Sequence, residues 1–477
     1  MARYVELRAA SAFSFLSAAS VPEDLADQAA RLGCDSMALA DRDGVSGIPR
    51  FIKACRAGGI RPICGARISF DPGTPFLTRG GRLPQLLLLC RDGEGWGNLC
   101  QMITMAHSGR EKDMPVAGWD LLEELHHGLV CLAGSMDGPV TSIAATGERT
   151  SAASATARLA SIFGRDSLFL DLQRHGDPVQ ESANRFLADI AGGVGIRTIA
   201  TNDVRYADAA ASRVFDVLQA IRNHVTLDAA ATILPAGHRH LQRDHSTMES
   251  LFYDMPGIID RTGELAESLR FDPADIEYRF PEYPVTAPTT PDSLLCQLVE
   301  AGLTRRYSSV TQGVRGQVEH ELQIIGKLGL AGYFLLVQDI VGFCGRNGIL
   351  AQGRGSAANS VVCYALGITA IDPVGMGLLF ERFLSEERGE WPDIDLDLPS
   401  GEQREMVIQH VYEKYGVSCV GMTSAVSTFR GRSTIREAGA AFGLDPDCLA
   451  RLARLVRPFD FSNDQESFLN KVSQAGL

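Results

Sequence analysis

The amino-acid sequence predicts an α/β protein whose first domain is barrel-like and whose second domain mixes helices with short strands. Three observations carry this reading. Seven apolar runs alternate with helical stretches before about residue 205, a proline-rich break lies near Pro284, and acids alternate with large apolar residues around Asp395. At 477 residues the chain exceeds one ordinary core, since domains hold about 100–200 residues, and two to four domains are expected.

The apolar runs lie at 4–7, 36–40, 60–64, 86–90, 129–133, 167–172 and 197–201. Such alternation indicates parallel strands with crossover helices, and about seven strands favour a closed or nearly closed barrel over an open sheet. Polar turns follow several of them directly: Asp41-Arg42-Asp43-Gly44, Gln173-Arg174-His175-Gly176 and Asn202-Asp203-Val204-Arg205. These loops mark the face on which such barrels place active sites. Ser20-Val21-Pro22-Glu23 reads as a capping box opening a helix that Gly33 closes, which argues against a cleaved secretory leader at 9–21. Residues 206–270 read as helical packing, and the break from Phe280 to Pro291 opens the second domain. Helices at 293–307 and 314–328 come next, then a glycine-rich stretch after Ile349, the acidic strand, a helix to Tyr415 and an arginine-rich segment from Arg430 to Arg457.

Composition excludes several classes. Hydrophobic residues are 45% and charged residues 22%, proportions that supply a core and exclude a disordered or fibrous chain. No apolar run approaches the roughly 18 residues of a membrane span, so no membrane partner is expected and a cytoplasmic location is. Eleven cysteines without a C-x-x-C pair suit reduced thiols. A net charge of −13 argues against bulk coating of nucleic acid but permits a local basic surface.

Two motifs point to chemistry. In Pro392-Asp393-Ile394-Asp395-Leu396-Asp397-Leu398, a period of two puts three aspartates on one face of a strand. Neighbouring pairs about 6–7 Å apart repel by about 2–3 kcal/mol at an effective dielectric near 20, a cost that a bound divalent cation reverses. Hard oxygen ligands suit Mg²⁺; the alternative is a solvated edge strand that deters aggregation. In Gly353-Arg354-Gly355-Ser356-Ala357-Ala358-Asn359-Ser360, a glycine turn between an apolar strand at 349–351 and the helical run 361–366 offers backbone N–H groups and one guanidinium to an anion. The G-K-[ST] ending of a Walker loop is absent, and an ordinary glycine turn is the alternative. A phosphate cradle about forty residues before a metal-binding strand is what in-line nucleotidyl transfer requires. Arg430, Arg432 and Arg436, with Arg451, Arg454 and Arg457 beyond, could then follow a nucleic-acid backbone.

These motifs, with Gly332-Tyr333-Phe334-Leu335-Leu336-Val337 and Leu379-Phe380-Glu381-Arg382-Phe383-Leu384, resemble in order and spacing the palm of bacterial C-family DNA polymerases, the alpha subunits of polymerase III. The N-terminal part resembles the polymerase-and-histidinol-phosphatase (PHP) domain that precedes that palm. Gln352-Gly353 through Leu366-Gly367-Ile368-Thr369, with Phe13-Ser14-Phe15-Leu16, is most similar to the error-prone, damage-inducible branch. The resemblance implies a PHP-type (β/α) barrel-like domain at 1–275, the first part of a mixed α/β palm at 276–420, and the start of a helical thumb at 421–477. It implies an error-prone DNA-directed DNA polymerase acting in translesion synthesis and induced mutagenesis. Asp393 and Asp395 would be catalytic ligands of two Mg²⁺ ions, Gly353, Arg354, Gly355 and Ser356 would hold the deoxynucleoside triphosphate, and Arg430, Arg432 and Arg436 would contact primer–template DNA.

Two departures from the family pattern stand out. The third catalytic carboxylate is expected beyond Leu477, as are the parts that would bind a sliding clamp and mutagenesis accessory proteins, so residues 1–477 alone are expected to be inactive. In the barrel, Arg8 and Ala10 stand where active relatives have His-x-His, Arg42 follows Asp41, Arg67 replaces a glutamate and Arg205 a histidine. Guanidinium cannot ligate a metal. A barrel without metal or phosphoesterase activity is therefore expected, although Asp41, Asp43, Asp171, His175 and Asp203 remain. The alternatives are a PHP-type metal-dependent phosphoesterase and a non-catalytic DNA- or partner-binding fragment.

Overall fold

The computed structural model describes residues 4–73, 82–111, 114–145, 148–230, 234, 240, 242–273, 276, 282–384, 392–417, 419–423, 425–456 and 473. The chain divides into two compact units, Met1–Ile276 with Ser424–Leu477, and Glu277–Thr423. Phe280, Pro281 and Arg457 lie outside the described residues.

In the first unit, β1 (Ser36–Arg42), β2 (Arg61–Ser69), β3 (Gln85–Cys90), β4 (Leu129–Leu132), β5 (Leu168–Leu172) and β6 (Arg197–Ala200) stand side by side in chain order. The expectation of all-parallel strands is corrected: β3 runs antiparallel to both β2 and β4. A parallel pair needs a crossover, and no helix lies among the described residues between β2 and β3. Two helices, Gly93–His107 and Trp119–Leu125, then bring the chain back to the end where β3 finished. The run at 4–7 is extended rather than a ladder strand, yet its continuation closes the ring: Ala9 bridges both Leu39 of β1 and Val204 just past β6.

The period of two sorts these strands cleanly. Ala38, Ile63, Leu87, Val130, Phe169 and Ile199 fill the barrel interior, plugged by Leu265 and Ala266 of the helix Asp260–Ser268. Met37, Cys64, Leu88, Cys131 and Leu170 face the surrounding helices. The capping box expected at Ser20 does not form. Val21 is the cap of the helix Pro22–Arg31, and Ser20 Oγ instead accepts the Ala207 amide at 2.9 Å. The helices Gly431–Ala441 and Pro446–Leu455 group with this unit, and Ala441 shares a small apolar cluster with Ala220 and Ala230.

The second unit is built on three consecutive helices, Pro291–Arg306, Gln312–Lys327 and Ala331–Arg346, around Val299, Leu303, Val318, Ile325 and Phe334. The strand expected at 349–351 lies three residues later. Gln352–Arg354 forms β7, and Leu350 is solvent-exposed. Its partner is β8, Asp395–Asp397, in a two-stranded antiparallel ladder. Among the described residues no single helix is long and apolar enough to cross a membrane.

Candidate functional site

The ladder joins the two motifs that the sequence separates by forty residues. Gln352 faces Asp397, Gly353 faces Leu396, and Arg354 faces Asp395. Side chains of directly opposed residues share a face, so Gln352, Arg354, Asp395 and Asp397 project together. Asp393, Asp395 and Asp397 are exposed while Ile394, Leu396 and Leu398 are half-buried, as the alternation predicts. The Ile394 amide donates to the Tyr333 hydroxyl at 2.8 Å, anchoring the strand to the helix below. Arg354 Nε lies 3.3 Å from Asp397 Oδ2. Among the described residues, Asp393 and Asp395 have no ion pair.

The two glycines of the cradle divide its construction. Gly353 donates its amide to Ile368 O at 2.7 Å, and a Cβ there would sit 2.7 Å from that same oxygen, so its missing side chain admits a neighbouring backbone rather than a ligand. Gly355 has φ +69° and open space where a Cβ would be. It turns the chain into the 3₁₀ segment Gly355–Asn359, whose first amides have no partner within the turn itself. The turn Phe380–Arg382 packs against that segment, bringing the exposed Arg382 beside it.

The expected opening of helix 361–366 to an anion is corrected. A buried carboxylate already fills it: Glu321 accepts the Val361 and Val362 amides at 3.0 and 3.1 Å and the Ser360 hydroxyl at 2.7 Å. Burial raises the Glu321 pKa above the ordinary glutamate value, against the lowering effect of those two amides. Sequence reasoning missed this residue. Its signal was an acid on the buried stripe Val314, Val318, Glu321, Ile325, where helical spacing calls for an apolar side chain.

No group of three or more His, Cys, Asp or Glu side chains that could hold a metal ion occurs among the described residues. Asp393 and Asp395 nevertheless fit the hard-ion pattern in which Mg²⁺ is held by one or two carboxylates, water and substrate phosphates. Arg430 caps the helix Gly431–Ala441, on which Arg432 and Arg436 are exposed one turn apart; Arg432 Nε also donates to Val456 O at 3.0 Å.

The barrel mouth holds a second set of carboxylates, and there the positions are filled. Asp171 accepts Arg8 Nε at 2.6 Å and Nη2 at 3.1 Å, with Gln173 Nε2, Thr201 Oγ1 and the Gly134 amide completing five donors. Asp41 accepts from the Ser11 amide and the Ser11 and Ser14 hydroxyls. Asp43 accepts from Arg42 and from both the amide and hydroxyl of Ser69. Asp203, at φ +47°, is held by Arg205 at 2.9 Å and by Arg67 at 2.8 Å. Burial opposes its ionisation, but Arg205 and Arg67 pull its pKa well below the ordinary carboxylate value. Burial, then Arg205, pushes Arg67 down to about 9. His175, one of the residues that remain at the barrel mouth, contacts Asn202 O and Gln180, and its ring lies tilted against that of His240 with centroids 4.1 Å apart. His240 completes the cluster and had no motif to announce it.

Residues 6–175 match the family model of the PHP domain, and residues 293–475 match that of the bacterial DNA polymerase III alpha NTPase domain. An error-prone DNA polymerase of Mycolicibacterium paratuberculosis is 41% identical over 445 residues, covering 92% of this chain and 40% of the relative. One from Pseudomonas paraeruginosa is 37% identical over 480 residues, covering 100% of this chain and 44% of the relative. The chain belongs to the bacterial C-family DNA polymerases, on their error-prone branch. It spans about 40% of the length of the curated relatives it matches. An amidohydrolase structure from Chromobacterium violaceum covers 47% of this chain and 84% of its own at 15% identity and a TM-score of 0.23. In this family's chain the barrel is thus the PHP domain, and the ladder of β7 and β8 lies within the polymerase-type segment.

Proposed function

We propose that this chain carries the nucleotide-transfer half-site of an error-prone DNA-directed DNA polymerase working in translesion synthesis and damage-induced mutagenesis. One observation supports this above the others: the register that sets Arg354 opposite Asp395 puts a guanidinium and a carboxylate on one exposed face, with Asp393 exposed two residues before Asp395. A Mg²⁺ ion held by Asp393 and Asp395 would neutralise phosphate charge and ease deprotonation of the attacking primer hydroxyl. Arg354 and the first amides of the Gly355–Asn359 turn hold the triphosphate, with Ser356 beside them and Gly353 supporting the turn from below. Glu321 keeps the following helix from competing for that anion. Arg430, Arg432 and Arg436 contact the primer–template backbone, and a sliding clamp and mutagenesis accessory proteins are further partners in this reading.

The barrel is a structural domain in this reading and uses no metal, because Asp41, Asp43, Asp171 and Asp203 already accept from serines and arginines. The same occupancy speaks against the phosphoesterase alternative. The test of the main reading uses the intact protein. Asp393→Asn with Asp395→Asn is expected to lower nucleotide incorporation at least about 10³-fold while leaving primer–template affinity and thermal stability unchanged. Full incorporation by that variant would overturn the assignment.

A further inference from the structure

We propose that Asp397 is a positioning residue that draws the Arg354 guanidinium off Asp395 and so keeps Asp395 open to a divalent cation. The inference rests on the nucleotide-transfer reading above. Antiparallel register sets Arg354 directly opposite Asp395 on the exposed face of the ladder. Opposed residues of opposite sign attract, and an arginine fork closed on Asp395 would occupy the oxygen lone pairs that a cation needs. The ion pair runs elsewhere. Arg354 Nε lies 3.3 Å from Oδ2 of Asp397, one residue pair further along the same face, within the diagonal reach of a long side chain.

The surroundings favour this diagonal arrangement. Gln352 is the residue directly opposite Asp397, and its amide donates to Gly353 O at 2.9 Å, so it brings no charge to compete for that carboxylate. Arg354 and Asp397 are 64% and 54% exposed, which makes their pair weak and readily exchanged. A triphosphate, carrying more charge than one carboxylate, can therefore take the guanidinium without prior rearrangement of the strand. Asp397 thus acts through Arg354 and is itself no ligand of the cation.

The test is a double-mutant cycle on Mn²⁺ binding to the intact protein, read from the free-ion electron paramagnetic resonance signal without nucleotide or DNA. Asp397→Asn is expected to weaken Mn²⁺ binding about fivefold in the parent and less than about twofold in an Arg354→Gln background. Equal weakening in both backgrounds, which simple loss of one negative charge would give, overturns the proposal, as does no weakening in the parent. Primer extension supplies a second readout: the Mg²⁺ concentration for half-maximal rate rises in Asp397→Asn while kcat at saturating Mg²⁺ is retained. A fall in kcat that Mg²⁺ does not restore overturns it. Asp393→Asn with Asp395→Asn separates the layers. Retained Mn²⁺ binding in that variant sinks the metal-site reading and the proposal with it, whereas lost binding alongside an additive cycle sinks the proposal alone.

Discussion

Asp171 at the barrel mouth and Asp395 on β8 are both aspartates on strands that read as candidate metal ligands, yet their surroundings differ in every physical respect. Asp171 is buried and accepts five hydrogen bonds, two of them from Arg8. Asp395 is exposed, and among the described residues no ion pair engages it. A buried carboxylate must be compensated from within the protein, and in the barrel an internal cation, Arg8, sits on the oxygens that an external one would need. An exposed carboxylate is compensated by water and stays available for exchange. The lesson is that an aspartate's residue type says little about metal binding until its lone pairs are accounted for.

The sharpest way to break this comparison is to uncover the barrel carboxylate. Arg8→Met leaves Asp171 charged, buried and short of two donors, and is expected to destabilise the first unit by about 3–5 kcal/mol, read from denaturant unfolding. Unfolding unchanged within about 0.5 kcal/mol would mean that the pair does not hold the barrel together.

The next effect concerns acid. Burial, then His175, lowers the His240 pKa to about 3, from an ordinary value near 6.5. Between those two values the unfolded chain binds a proton that the folded chain refuses, so stability falls as pH drops from 6.5 towards 3 and levels off below. His240→Asn is expected to flatten that limb by up to about 1.4 kcal/mol per pH unit, seen as a smaller drop in Tm between pH 7 and pH 5. An unaltered pH profile would place the acid sensitivity elsewhere.

The smallest effect lies on the exposed side of the comparison. Arg432→Ala is expected to reduce the slope of log affinity for primer–template against log salt by about 1, with little change in stability. An unchanged slope would mean that Arg432 serves only its 3.0 Å bond to Val456 O.

Legibility in the sequence followed the range of the interactions. Six of the seven apolar runs became strands, because a strand buried on both faces needs an uninterrupted apolar run. The reversal of β3 was not legible: direction depends on how many helices return the chain, not on the strand's own residues. Glu321 at the start of helix 361–366 was missed because its partners lie 40 residues away, although an acid on a buried helical stripe was there to be noticed.

The sequence alone determined which side chains share a face, since periods of two and of 3.6 are properties of the local backbone. It also determined that Arg8 and Arg67 could not ligate a metal, a matter of guanidinium chemistry that no fold alters. Only the tertiary structure decided which carboxylates were already occupied and which cation stood opposite Asp395. The Arg8–Asp171 contact joins residues 163 positions apart and the Arg354–Asp395 pairing residues 41 apart, and chain packing, not local conformation, sets their distances.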